Sequence, residues 1–186
     1  MVVWILLGVV VIAVIALIMI YNRLVATRND VQGSWKQIDV QLKRRHDLVP
    51  NLVNTVKGAI EFEQDTLEKV MNARARAVSA VGPHSKAEAE NVLTQALGRL
   101  FAVMENYPDL KSNQNISQLQ EELTSTENRI AFARQLYNDL VANYRTLLQV
   151  FPNNFVASFF SFRPEEYFTA EEAARTAPQV DLSVKK

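Results

Sequence analysis

Few side chains in this sequence are of a type and spacing that could do chemistry. His46 and His84 are the only histidines, and there is no cysteine. Disulfides, iron–sulfur clusters, thiolate zinc sites and cysteine nucleophiles are therefore excluded. Neither histidine belongs to an HExxH pair or a Glu-x-x-His step, so the zinc-protease and di-iron bundle motifs are absent. No glycine pattern cradles a phosphate, and no serine sits in GxSxG. The acidic pairs Glu61/Glu63, Glu88/Glu90 and Glu121/Glu122 read as solvated faces. These motifs assign no catalytic residue, no cofactor site and no metal site.

The densest charged run is Lys43-Arg44-Arg45-His46-Asp47. It has two readings. One is an interaction patch for an acidic partner or an anion. The other, favoured here, is a helix C-terminus whose cations complement the macrodipole. Arg45 falls on the apolar register of its segment, which predicts an inward pairing with a carboxylate on a facing helix. Glu127, Arg134 and Asn138 form a polar row beside another apolar seam, with Arg134 and Asn138 one turn apart. Such a row suits an interhelical network that fixes register.

These residues need elements to position them, and composition limits the choice. The 186 residues carry 20 basic and 20 acidic side chains, and the balance leaves no basic face for nucleic acid. Five Gly and six Pro are too few for a turn-rich β architecture. Val2 to Ile20 is an unbroken apolar run without a charge. As a helix it spans about 28 Å, close to the thickness of a bilayer's hydrocarbon core. A cleaved signal peptide is the alternative. It is disfavoured by the missing N-terminal cation, the length of the run and the lack of a small-residue cleavage site. Trp4 and Tyr21 suit the two membrane interfaces, and Arg23 suits a snorkelling cation. Arg23, Arg28 and Lys36 follow the span, so the positive-inside rule puts the N-terminus outside and the body in the cytoplasm. A periplasmic body is the alternative.

The remaining chain reads as all-α. The first helix continues out of the span through Leu24, Val31, Trp35, Ile38, Leu42 and Val49. A second is predicted to start around Pro50 and end before Gly82-Pro83. A third is opened by a Ser85/Glu88 capping box, with Ala89, Leu93, Ala96, Leu100, Val103 and Tyr107 as its stripe. A fourth, capped at Ser117, steps by threes and fours from Ile116 to Phe151. Long helices with short breaks predict an antiparallel four-helix up-and-down bundle. The expected division is a transmembrane anchor over 1–21, the bundle over 22–162 and a polar, mobile C-terminal tail over 163–186. The return of the fourth helix should bring the aromatic segment back to the membrane. Phe155, Phe159 and Phe160 are thus expected to touch lipid or to pack around the emerging first helix.

The residues from Tyr21 to Asn29, the run from Trp35 to Val53, Tyr107-Pro-Asp-Leu-Lys111 and the stretch from Leu119 to Asn138 together resemble the LemA family signature. Phe151-Pro152 and Phe160-x-Phe162 extend the likeness. The family pattern often has Gly-Phe where this chain has Ser161-Phe162. The resemblance implies a bacterial inner-membrane protein with one N-terminal span and a helical bundle, and it carries over no catalytic residue. By family association alone it implies partners such as an HtpX-like metalloprotease or a TPM-domain protein. Two functions are weighed. One is a non-catalytic membrane-anchored adaptor or scaffold, which contacts the lipid bilayer and a membrane protein or a second copy of itself. The other is an enzyme or metal-dependent factor acting through Arg44, Arg45, His46 and Asp47.

Overall fold

The computed structural model describes residues 1–60 and 63–169. Among them are six helices and no strand: α1 (Val2–Val56), α2 (Gln64–Ser79), α3 (Pro83–Met104), α4 (Pro108–Lys111), α5 (Gln114–Gln149) and α6 (Asn153–Phe159). The all-helical, antiparallel arrangement agrees with the periodicity of the sequence. α1 and α5 are the long pair, packed side by side, and the shorter α2 and α3 pack on each other. The four helices coexist only in the half of the bundle distal to the N-terminal apolar stretch. There a core of Leu52, Val56, Val70, Leu93, Leu100 and Ile116 joins them.

α1 is one helix from the apolar run to Val56, so the second helix does not begin at Pro50 as expected. A proline inside a helix removes one backbone donor and frees the carbonyl four residues earlier. That carbonyl belongs to His46, and Arg74 Nε of α2 donates to it at 2.6 Å. A guanidinium from the neighbouring helix thus replaces the missing amide, and α1 runs on. The chain turns only after Val56, and α2 starts at Gln64.

Two predicted caps are also corrected. α3 starts at Pro83 behind Gly82, with no side-chain cap from Ser85. Gly82 has φ +86°, which favours glycine, and Pro83 supplies the fixed φ of a first turn. α5 is capped by Asn113, whose Oδ1 accepts from Asn115 N at 3.0 Å, three residues ahead of the first seam residue and not at Ser117. Along α5 the predicted seam is buried at Ile116, Leu123, Thr126, Ile130, Tyr137, Tyr144 and Leu147, and Val141 widens it. Phe151 lies beyond the helix and is exposed.

The segment after α6 departs most from expectation. Residues 163–169 were expected to open a polar tail; Arg163, Pro164, Glu166 and Thr169 are exposed, yet Phe168 is buried in the core and Tyr167 packs half-buried against it. Phe168 is buried beside Trp35 and Tyr137, with ring centroids 5.6 Å from Trp35. Asn138 clamps its backbone: Oδ1 accepts from Phe168 N at 2.9 Å, and Nδ2 donates to Phe168 O at 3.3 Å. The strand-like run from Phe162 to Phe168 covers about 20 Å at an extended rise, matching the climb along α1 from Tyr21 to Trp35 at a helical rise. It packs Phe162, Tyr167 and Phe168 against core residues of α1 and α5. The tail beyond Thr169 lies outside the described residues.

Tyr137 and Tyr144 make a contrasting pair on this side of the core. Tyr137 donates to Glu166 O at 2.7 Å, whereas Tyr144 OH has no hydrogen-bond partner among the described residues. Burial, then the charges of Glu165 and Glu166, push the Tyr137 phenol up from 10.0 to about 12. Burial also raises Tyr144, against the pull of Arg28. In the unfolded chain a tyrosine ionises near pH 10, while folded Tyr137 keeps its proton. Its contribution is therefore complete below about pH 10 and is lost as pH rises through about 12. Denaturation series across that window should slope downward in the wild type and less so in Tyr137→Phe. At neutral pH Tyr137→Phe should cost about 1 kcal/mol, and Tyr144→Phe should be neutral or stabilising.

Candidate functional site

The register of α1 steps Ile38, Leu42, Arg45, Val49, so it aims a guanidinium into the core among aliphatic neighbours. Such burial is tolerated only when the charge is paired and its donors are used. Arg45 Nη1 lies 3.2 Å from Glu90 Oε2 and 2.8 Å from Glu127 Oε2, and Nη2 donates to Thr94 Oγ1 at 2.8 Å. The inward pairing expected of Arg45 is present, with α3 and α5 both supplying carboxylates. His46 is its companion, and its Nε2–H donates to the other oxygen of Glu90 at 2.5 Å. Arg74 on the His46 carbonyl closes the set from α2. One arginine, one histidine, two glutamates, a threonine and a second arginine thus tie α1, α2, α3 and α5 together.

The charged run of 43–47 is consequently not one surface. Arg45 and His46 are buried, while Lys43, Arg44 and Asp47 face outward. Arg44 Nη2 makes an exposed ion pair with Glu122 Oε2 at 3.5 Å. Nor is the run a helix C-terminus, because α1 continues past it. The acidic pair on α3 is corrected too: Glu88 is solvated, but Glu90 is buried at 5% exposure. The apolar stripe of α3 runs Ala87, Leu93, Leu97, Leu100 and Met104, part of a turn away from the expected one, and Glu90 lies on it. Glu90, Thr94 and Arg74 were the members the sequence reading missed. The available signal was that Glu90 sits three residues from Ala87 and from Leu93, on their face. The expected polar row of α5 is divided, Glu127 serving Arg45 and Asn138 serving Phe168. Among the described residues no three His, Asp or Glu side chains are grouped to hold a metal ion.

The residues expected at membrane interfaces occupy the other end of the molecule. Trp4 and Tyr21 are exposed near the two ends of the apolar stretch, and Arg23 is exposed just past it. Phe160 packs tilted against Tyr21 at 4.8 Å between centroids, and Phe162 meets the same ring edge-on at 5.7 Å. Arg28 lies 5.9 Å from the Phe162 ring centroid. α6 seats Val156 and Ala157 against Leu24 and Leu147, with Ile20 alongside. This leaves Phe155 and Phe159 on its outer face.

The turn that delivers Phe162 holds a residue with a side chain in a left-handed conformation. Ser161 has φ +57°, and Phe162 N donates to Ala157 O at 2.9 Å, the six-to-one bond of a left-handed helix cap. Glycine holds that conformation without the cost of a Cβ, about 1–2 kcal/mol. Ser161→Gly should therefore raise stability by about 1 kcal/mol, read as a higher denaturation midpoint with an unchanged slope.

Fold and site together define a helical bundle with, among the described residues, one helix long and apolar enough to cross a membrane. The chain belongs to the LemA family, whose sequence model matches residues 34–182. It is similar to Magnetosome protein MamQ 2 of Paramagnetospirillum magneticum, at 28% identity over 86% of this chain and 68% of that protein. It is likewise similar to Magnetosome protein MamQ of Magnetospirillum gryphiswaldense, at 26% identity over 88% and 71%. Protein LemA of Metamycoplasma hominis is 26% identical over 87% of this chain and 74% of its own length.

Proposed function

We propose that the chain is a non-catalytic scaffold of the bacterial inner membrane, anchored by residues 2–20 with its bundle on the cytoplasmic side. There it binds a membrane protein or a second copy of itself. The observation that carries the reading is where the polar groups are spent. The side chains best suited to chemistry, Arg45, His46 and Glu90, are buried and bonded to one another, so they hold helices together and offer no open site. The outer faces are what remains for recognition. Between α1 and α5 lies a groove of about 540 Å³ lined by exposed Val40, Phe132 and Leu136 and flanked by Lys36 and Arg129. Apolar side chains rimmed by cations suit a partner helix with apolar and acidic positions. The cations Arg23, Arg28 and Lys36 after the span support the cytoplasmic side.

The test is affinity purification of the full chain after mild detergent extraction at native expression. A stoichiometric partner or a defined oligomer is expected, and should be lost in Phe132→Glu with Leu136→Glu. A lone monomer would contradict the reading. For the side of the membrane, a cysteine placed after Lys186 should stay protected from an impermeant thiol reagent in intact cells. Labelling there would put the bundle outside.

A further inference from the structure

We propose that α6 and the turn before it form an aromatic foot that rests in the headgroup layer of the bilayer crossed by residues 2–20. The inference rests on that span. Phe151, Phe155 and Phe159 are 78%, 67% and 82% exposed, more than an isolated apolar side chain on a packed bundle would explain when three recur together. They are organised: Phe151 meets Phe155 edge to face at 5.9 Å, and Phe159 meets Phe160 at 5.0 Å. The second pair continues through Phe160 to Tyr21, so the ring series is joined to the end of the apolar stretch.

This contact sets the depth. α1 is continuous through the end of the span, so Tyr21 marks its level, about 26 Å along the helix from Trp4. That separation places the two aromatic residues at opposite edges of a hydrocarbon core of about 30 Å. α6 is held against Ile20 and Leu24, within a turn of Tyr21. An exposed phenylalanine ridge at that level faces the interface, where aromatic rings are favoured over water. The foot is amphipathic, with Val156 and Ala157 inward and Phe155 and Phe159 outward, as in a helix lying in the interfacial plane. Arg23 and Arg163, close in sequence to Tyr21 and to the end of α6, and Arg28, 5.9 Å from the Phe162 ring, are exposed cations that favour anionic headgroups. Together the span and the foot give the bundle two attachments, which fix its tilt as well as its position.

The absence of cysteine makes the test clean. The full chain is reconstituted in vesicles of phosphatidylethanolamine and phosphatidylglycerol, with one nitroxide label per variant at Phe155→Cys, Phe159→Cys, Val10→Cys or Val81→Cys. Collision with oxygen and with a water-soluble nickel chelate reports depth. Labels at 155 and 159 are expected to favour oxygen several-fold over the label at Val81, which is exposed in the α2–α3 loop. Collision ratios equal to those at Val81 would overturn the foot while a deep Val10 label leaves the span intact. Protection from both reagents would also overturn it, showing that protein, a second copy included, covers the ridge. A shallow Val10 label would overturn the span and the foot with it. Ser158→Cys, on the same exposed face, replaces either phenylalanine variant that loses helical signal.

Discussion

Arg45→Ala should lower the unfolding free energy of the bundle by about 3–5 kcal/mol, the range for breaking a buried ion pair by removing one partner. Arg45 is 3% exposed, and Glu90, its partner, is 5% exposed. Without the guanidinium, Glu90 keeps His46 as its one side-chain donor, and Thr94 loses the group that bonded it. Glu127, nearer solvent, can turn to water and contributes less. The combined substitution Arg45→Met with Glu90→Met should recover part of the loss, since an apolar pair of similar volume avoids the stranded carboxylate while His46 loses its acceptor. Urea unfolding of the full chain in mild detergent, followed by far-ultraviolet circular dichroism, measures both. Equal stability of Arg45→Ala and wild type would show that the cluster is solvated and that α1 sits in a different register.

The second large effect concerns Pro50. Arg74→Ala strips the His46 carbonyl of its donor, and an unsatisfied buried acceptor costs about 1–3 kcal/mol. The amide restored by Pro50→Ala can reach that carbonyl from four residues on, as in any α-helix. Arg74→Ala should therefore cost clearly less in the Pro50→Ala background, and the double-mutant cycle reports the coupling between the two positions. Strict additivity would mean that Arg74 stabilises by some other contact.

How far the sequence could be read follows from the same residues. Period alone located the seam of α5, because its positions repeat by threes and fours from Ile116 to Leu147 with one face inward. It also placed Arg45 inside. It misplaced the start of the second helix because Pro50 is a boundary by local rules, and only a residue 24 positions later in the chain, Arg74, satisfies the carbonyl it frees. Glu90 was read as solvated because a carboxylate is usually exposed, and nothing within α3 announces the Arg45 that neutralises it. The segment 163–169 looked like a tail because it is polar and short. Its role depends on the Trp35 and Tyr137 rings that receive Phe168, and on Asn138, which clamps its backbone. Local signals thus fixed helices and faces, whereas contacts between distant segments decided the boundaries and the cluster.

The central claim is that the cluster holds the bundle together and the outer faces meet a partner. It is tested most directly by photo-crosslinking in living cells, with a photoreactive residue at Phe132 or Val40 on the groove and at Val81 away from it. The account predicts one discrete, stoichiometric adduct from the groove positions, to a membrane protein or to a second copy, and none from Val81. No adduct from the groove at native abundance, or the same smear from all three positions, would contradict it.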